Sequence, residues 1–263
     1  MKTNVKNIAI SGFLAASLVL AGSCQKDMLN SDNAQYASVL EVSADGTSTV
    51  INTNMQLAFV ETPELTESEL ASLVKMKDEE RLARDVYSAL NQKWGSSVFS
   101  RISTAENNHL NAIIRLLQYY GSSDTLIGEA GTFGNTDFQT LYTNLVANGS
   151  VSIEEAFKTG ALIEELDIKD LSDALAATSN ANITLVYENL ERGSRNHLRS
   201  FYNQLSVLDI VYTPTYITQT EYDQIVTSSM EKGKQYKMKG NGKGNGNGNG
   251  NKKGKGNGTC VNN

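Results

Sequence analysis

The chain is poor in the residues that most often build metal and redox sites. It has two cysteines in 263 residues, Cys24 and Cys260, and neither lies in the part expected to fold. No disulfide framework can support the core, and a Cys-x-x-Cys or Cys-His zinc site is excluded. There are two histidines, His109 and His197. No convincing β pattern occurs in residues 63–230, so a sheet is not expected there. Basic charge is also scarce in that region. From Glu231 to the C-terminus there are eight lysines and one glutamate, a balance of +7, which leaves −13 on the first 230 residues. A folded domain this acidic is not expected to bind nucleic acid, while the basic tail has the charge to touch anionic surfaces.

What is present begins with a targeting signal. Lys2 and Lys6 precede an apolar run over residues 8–21, too short to span a bilayer comfortably. It ends in Leu20-Ala21-Gly22-Ser23-Cys24, which resembles a bacterial lipobox. Lipidation of Cys24 is favoured by the polar Gln25-Lys26-Asp27 that follows; ordinary cleavage near Ala21-Gly22-Ser23, with Cys24 incidental, is the other reading. Residues 1–24 are therefore read as a lipoprotein signal peptide and 25–62 as a flexible spacer. Within the spacer, Val39-Leu40-Glu41-Val42 and Val50-Ile51-Asn52 are too short to count as strands. Residues 231–263, almost all Gly, Asn and Lys, read as a disordered tail. The expected location is the bacterial cell envelope, lipid-anchored on its periplasmic or outer-surface side.

Residues 63–230 form one domain's length of helical pattern. Thr66 to Glu69, Ser152 to Glu155 and Thr218 to Glu221 each have the spacing of a capping box. Apolar residues three and four apart predict long helices over 66–93, 99–119, 152–178 and 182–205, with short ones over 137–147 and 218–230. Gly121 and Gly149 are natural stops. Four long helices with a short one in the central connection predict an all-α four-helix bundle with a crossover.

Polar residues interrupt the apolar stripes. Glu106 and His109 lie between Ile102 and Ile113; Glu164 lies between Ala161 and Ile168; His197 lies between Leu190 and Phe201; Glu80 is at the edge of a stripe near Ala83 and Tyr87. An unpaired buried carboxylate costs several kcal/mol or takes up a proton. Acids and imidazoles on four helices point to a shared positive partner. A pair of metal ions fits, and oxygen and imidazole donors without thiolate suit iron or manganese. The plainer reading is two core histidines hydrogen-bonded to Glu or Tyr.

These motifs carry a resemblance. Lys77-Asp78-Glu79-Glu80-Arg81-Leu82-Ala83-Arg84-Asp85-Val86-Tyr87, Ala105-Glu106-Asn107-Asn108-His109, Gly160-Ala161-Leu162-Ile163-Glu164-Glu165-Leu166-Asp167-Ile168 and the run from Tyr187 to Arg199 together resemble the family called domain of unknown function 2202. That family is grouped with ferritin-like, rubrerythrin-type proteins. The resemblance implies a ferritin-like bundle and a metal site of Glu80, Glu106, His109, Glu164 and His197, with Glu165 and Asp167 as rivals of Glu164. On the fourth long helix the pattern breaks. Ser194 stands three residues before His197 where an acid is expected, and the nearest acid is Glu191. Arg81, Arg84, Arg192, Arg195 and Arg199 are expected to pair with surplus acids. The implied cofactor is two iron ions, or manganese, with oxidase, peroxidase or ferroxidase-type chemistry, and Tyr87 and Tyr187 nearby. No rubredoxin-like cysteine set is present to donate electrons. The alternative is a non-enzymatic surface or structural protein that keeps the bundle without a working site. Expected partners are metal ions, the membrane through the lipid anchor, and a second copy in a homodimer.

Overall fold

The computed structural model describes residues 64–232 and the backbone of two short strands before them. β1 (Leu40–Val42) pairs antiparallel with β2 (Ser48–Val50), Leu40 opposite Val50. Both strands fall within the segment expected as a spacer. Three-residue strands are shorter than any alternation of apolar and polar residues can reveal. The expected signal peptide with Cys24, the rest of the expected spacer and the residues after Lys232 lie outside the described residues.

Six helices follow: α1 (Glu67–Trp94), α2 (Ser97–Tyr119), α3 (Thr136–Gly149), α4 (Ile153–Ala177), α5 (Ala181–Val207) and α6 (Gln219–Thr227). Thr66 closes both bonds of its capping box with Glu69. Ser152 and Thr218 each accept the expected N–H from three residues on. α5 starts earlier than expected, because Asn180 rather than Asn182 caps it, accepting from the backbone of Asn182 and Ile183. α6 stops at Thr227, short of the expected 230, and Ser228 after it is extended.

The four long helices α1, α2, α4 and α5 make the bundle. α1 packs chiefly on α2, and α4 on α5; α2 also meets α5, and α1 meets α4. Only Gly95 and Ser96 separate α1 from α2. Gly95 turns the chain in the left-handed region (φ 64°), which a side chain would disfavour. α3 lies in the long connection between the two hairpins, as expected for a crossover. The loop before it is pinned to α1: Asp85 accepts the Gly131 N–H at 2.9 Å, and Arg81 donates to the Glu129 and Thr132 carbonyls.

The apolar core is divided in two. One cluster contains Leu82, Val86, Tyr87, Phe99, Ile102 and Phe201. The other contains Leu73, Met76, Ile113, Leu116, Leu171 and Leu190. Glu80 sits between Met76 and Leu82 in α1, and Glu106 and His109 sit between Ile102 and Ile113 in α2. Glu164 precedes Leu171 in α4, and His197 lies between Leu190 and Phe201 in α5. The polar residues thus form a layer between two dry clusters, buried from every side.

Candidate metal centre

Each long helix delivers its polar residue because the flanking stripe faces the core. Residues three or four apart share a helix face, so an acid in that register is carried inward with its apolar neighbours. Glu80, Glu106, His109, Glu164 and His197 are all fully buried.

Glu106 is the centre of the arrangement. Its Oε2 lies 2.7 Å from His109 Nδ1, and its Oε1 lies 2.8 Å from His197 Nδ1. Glu80 Oε2 is 3.2 Å from His109 Nδ1, and Glu164 Oε2 is 3.4 Å from His197 Nδ1. Two three-residue groups result, Glu80-Glu106-His109 and Glu106-Glu164-His197, each with its donor atoms within 4.8 Å of one another. They share Glu106. The imidazole rings stack at 5.4 Å with 24° between their planes, so the two groups lie side by side.

Distance and direction disagree within this cluster in an informative way. Both oxygens of Glu106, Oε1 of Glu80, Oε2 of Glu164 and both ring nitrogens of His197 have no aligned hydrogen bond. The short contacts therefore do not satisfy these atoms as a hydrogen-bonded core would. Several donor atoms approach a common place instead of pairing. That is the geometry of atoms directed at a third body, and it fits a metal pair better than two satisfied core histidines.

The electrostatics agree. Burial pushes Glu80 up to about 8 and Glu164 up to about 7. Glu106 is opposed by burial too, but His197 and His109 outweigh it and hold this carboxyl well below the usual range. Burial disfavours a charged His109, yet Glu106 and Glu80 raise it to about 9. His197, also opposed by burial, is raised well above its ordinary value by Glu106 and Glu164. Without a cation, protons must do the neutralising in this layer.

Asp167 joins the same layer. It is buried on α4, one turn beyond Glu164, and its Oδ2 has no hydrogen-bond partner. Its proton affinity is raised by burial first, then by the charges of Glu80, Glu164 and Glu106. Four buried carboxylates, Glu80, Glu106, Glu164 and Asp167, carry the charge that two divalent cations would cancel. The donor set therefore fits a pair of such ions.

The remaining expected residues fall elsewhere. Glu191 is not brought to the layer: it is partly exposed and pairs with Arg195 at 2.7 Å. Six residues before His197 the helix has turned it away from the stripe. Ser194 is buried, but its Oγ donates to the Leu190 carbonyl, so it leaves the place of an acid empty. Glu165 lies about 100° round α4 from Glu164 and accepts the backbone N–H groups of Thr215 and Tyr216 at 2.6 and 2.8 Å. Tyr87 donates to Glu164 Oε1 at 2.5 Å, whereas the Tyr187 hydroxyl meets Ser72. Arg84 pairs with Asp85, and Arg195 and Arg199 with Glu231, as expected of arginines beside surplus acids. Glu79, buried beside the layer, carried no signal in the sequence beyond its place next to Glu80.

Known proteins extend the picture over the helical domain. The chain is 43% identical over 170 residues to uncharacterized protein MJ0754 of Methanocaldococcus jannaschii, covering 64% of this chain and 92% of that protein. A crystal structure of hypothetical protein MJ0754 from Methanococcus jannaschii matches with a TM-score of 0.64 at 42% identity, over 65% of this chain and 99% of that one. Residues 69–229 match the family described as uncharacterized protein domain (DUF2202), and the chain belongs to that family.

Proposed function

We propose that the bundle is of the ferritin-like type and would hold two iron or manganese ions, with Glu106 belonging to both donor groups. Glu80 and His109 complete one position, and Glu164 and His197 complete the other. The observation that carries this reading is the sharing of Glu106, neither of whose buried oxygens has a hydrogen-bond partner, by the two donor groups. When bound, such a metal pair supplies electrons to dioxygen or peroxide, the basis of oxidase, peroxidase or ferroxidase activity.

The chain's own residues prepare that chemistry. Both imidazoles turn Nδ1 toward Glu106. Tyr87 holds Glu164 by Oε1, which leaves Oε2 facing His197. The Tyr87 ring lies 5.4 Å from Phe201 and 6.3 Å from Phe99, so its phenolic proton sits in dry surroundings beside the centre. The two apolar clusters keep water from both ends. α5 supplies His197 but no acid to the centre, because Ser194 stands in the place of one.

The test is metal analysis of the purified protein after anaerobic loading with ferrous iron or manganese. About two ions per chain are expected, and their loss in Glu106→Ala/His109→Ala. A wild-type chain that takes up neither metal would overturn the reading and favour the non-enzymatic alternative. Placement on the cell envelope through a lipid on Cys24 belongs to the same proposal, supported by the Lys2, Lys6 and lipobox-like sequence. Fatty-acid labelling of the protein made in bacteria should disappear in Cys24→Ser; an unlabelled wild type would remove the anchor.

A further inference from the structure

The acids of α4 do not stop at the centre. Glu164, Asp167, Asp170 and Asp173 follow one another at three-residue steps. Each step advances about 4.5 Å and falls about 60° short of a full turn. The series must therefore wind from the core face of α4 to its solvent face. Exposure rises along it, from 0% at Glu164 and 2% at Asp167 to 23% at Asp170 and 64% at Asp173. A carboxylate ladder that turns outward as it climbs connects the buried layer with water.

α1 closes the other side of the ladder. Lys75 Nζ lies 2.6 Å from Glu79 Oε1 and 2.7 Å from Asp170 Oδ2, so one ammonium ties α1 to the outer part of the ladder. The lysine itself is half exposed. Glu79 and Asp167, just inside it, each keep a buried oxygen with no hydrogen-bond partner. Two buried carboxylate oxygens without a hydrogen-bond partner, between a lysine and an anionic centre, are not explained by stability, since each has left water without full compensation. They are explained if a cation passes them.

We propose that Asp170, Glu79 and Asp167 form the route by which a divalent cation passes between solvent and the buried centre, with the Lys75 ammonium as a displaceable plug at its mouth. This rests on the two-metal reading above. Asp170 attracts the ion at the surface, and the ion takes the place of Lys75 between Asp170 and Glu79. It then passes to Asp167 and on to Glu164. At each step a carboxylate oxygen replaces a water of the ion's shell. The flexible lysine stem lets the plug swing into solvent without moving either helix.

The probe is Co(II), whose visible absorbance reports both the rate of uptake and the geometry at the end. Asp170→Asn in the full chain is expected to load about tenfold more slowly, because a focusing charge at the mouth is lost. Lys75→Gln is expected to load faster. Both should finish with the wild-type number of cobalt ions and the wild-type spectrum. Glu154→Gln, which changes an exposed acid at the far end of α4, should load like the wild type. Wild-type rates in both mouth variants would overturn the route and leave the centre standing. Equal slowing in Glu154→Gln would reduce the effect to general surface charge and also overturn it. A wild type that binds no cobalt would remove the centre and the route together.

Discussion

Gly193 shows how tightly the centre is built. A Cβ there would lie 2.6 Å from Cε1 and Nε2 of His109, closer than real atoms approach. The missing side chain lets α5 close on the imidazole and hold its Nδ1 toward Glu106. Gly193→Ala must therefore shift the helix or the ring. It is expected to destabilise by about 1–3 kcal/mol, as overpacking does, and to weaken metal binding at the His109 position. Thermal unfolding and metal titration read the two effects, and a variant unchanged in both would show that the ring is not clamped. Stoichiometry separates the acids. Glu106→Ala should bind neither ion because both positions use it, whereas Glu164→Ala should keep the ion held by Glu80 and His109. Glu191→Ala should bind like the wild type, since its carboxylate is engaged with Arg195. Loss of metal in Glu191→Ala would mean that α5 supplies an acid from outside the observed cluster.

Among the elements, those with a local physical signal were legible in the sequence. The Thr66 box and the Ser152 and Thr218 caps mark real helix starts, because an orphan N–H needs a nearby acceptor whatever the tertiary fold. Thr66→Ala is expected to lose about 1 kcal/mol and a few degrees of thermal midpoint, measured by calorimetry with the metal content unchanged. The inward polar residues of the four long helices were legible for a similar reason: a polar residue inside an apolar stripe is visible by spacing alone. What lay beyond local pattern was less so. Glu164 and Glu165 are adjacent acids, and only the packing shows that one enters the centre while the other anchors the 215–217 turn. Glu165→Gln should lose about 1.5–3 kcal/mol, the range for hydrogen bonds to a charged acceptor, and still bind two ions. Loss of metal in that variant would mean the two acids have been assigned the wrong way round. Asp167 was visible only as a rival of Glu164, and Glu79 sits among Lys75, Lys77 and Asp78, a mixture that reads as a solvated face until α1 and α4 are set against each other.

For the whole molecule, the cost of a charged layer inside an apolar bundle should appear as a dependence of stability on pH. In the metal-free protein, burial raises Glu80 to about 8 and Glu164 to about 7, from an ordinary value of 4.5. Above that ordinary value the unfolded chain has released protons that the folded chain still holds. Folding stability must then fall as pH climbs toward 8. His109 acts in the same direction. Against its burial, Glu106 and Glu80 hold its proton up to about 9, from an ordinary 6.5. That contribution is complete below the lower value and lost by the upper one. Glu106 opposes them only in acid, where a carboxyl held below its ordinary range loses its contribution as it protonates. The metal-free chain should therefore unfold at a lower temperature at pH 9 than at pH 6. Bound cations replace these same protons, so metal affinity should rise with pH as the acids and imidazoles are freed. The increase in thermal midpoint caused by manganese should thus be larger at pH 8 than at pH 6, because stabilisation by a ligand grows with its affinity. Calorimetry at both pH values, with and without the ion, measures this directly. Equal increments at the two pH values would mean that the ion binds without displacing protons, and therefore somewhere other than the Glu106 layer.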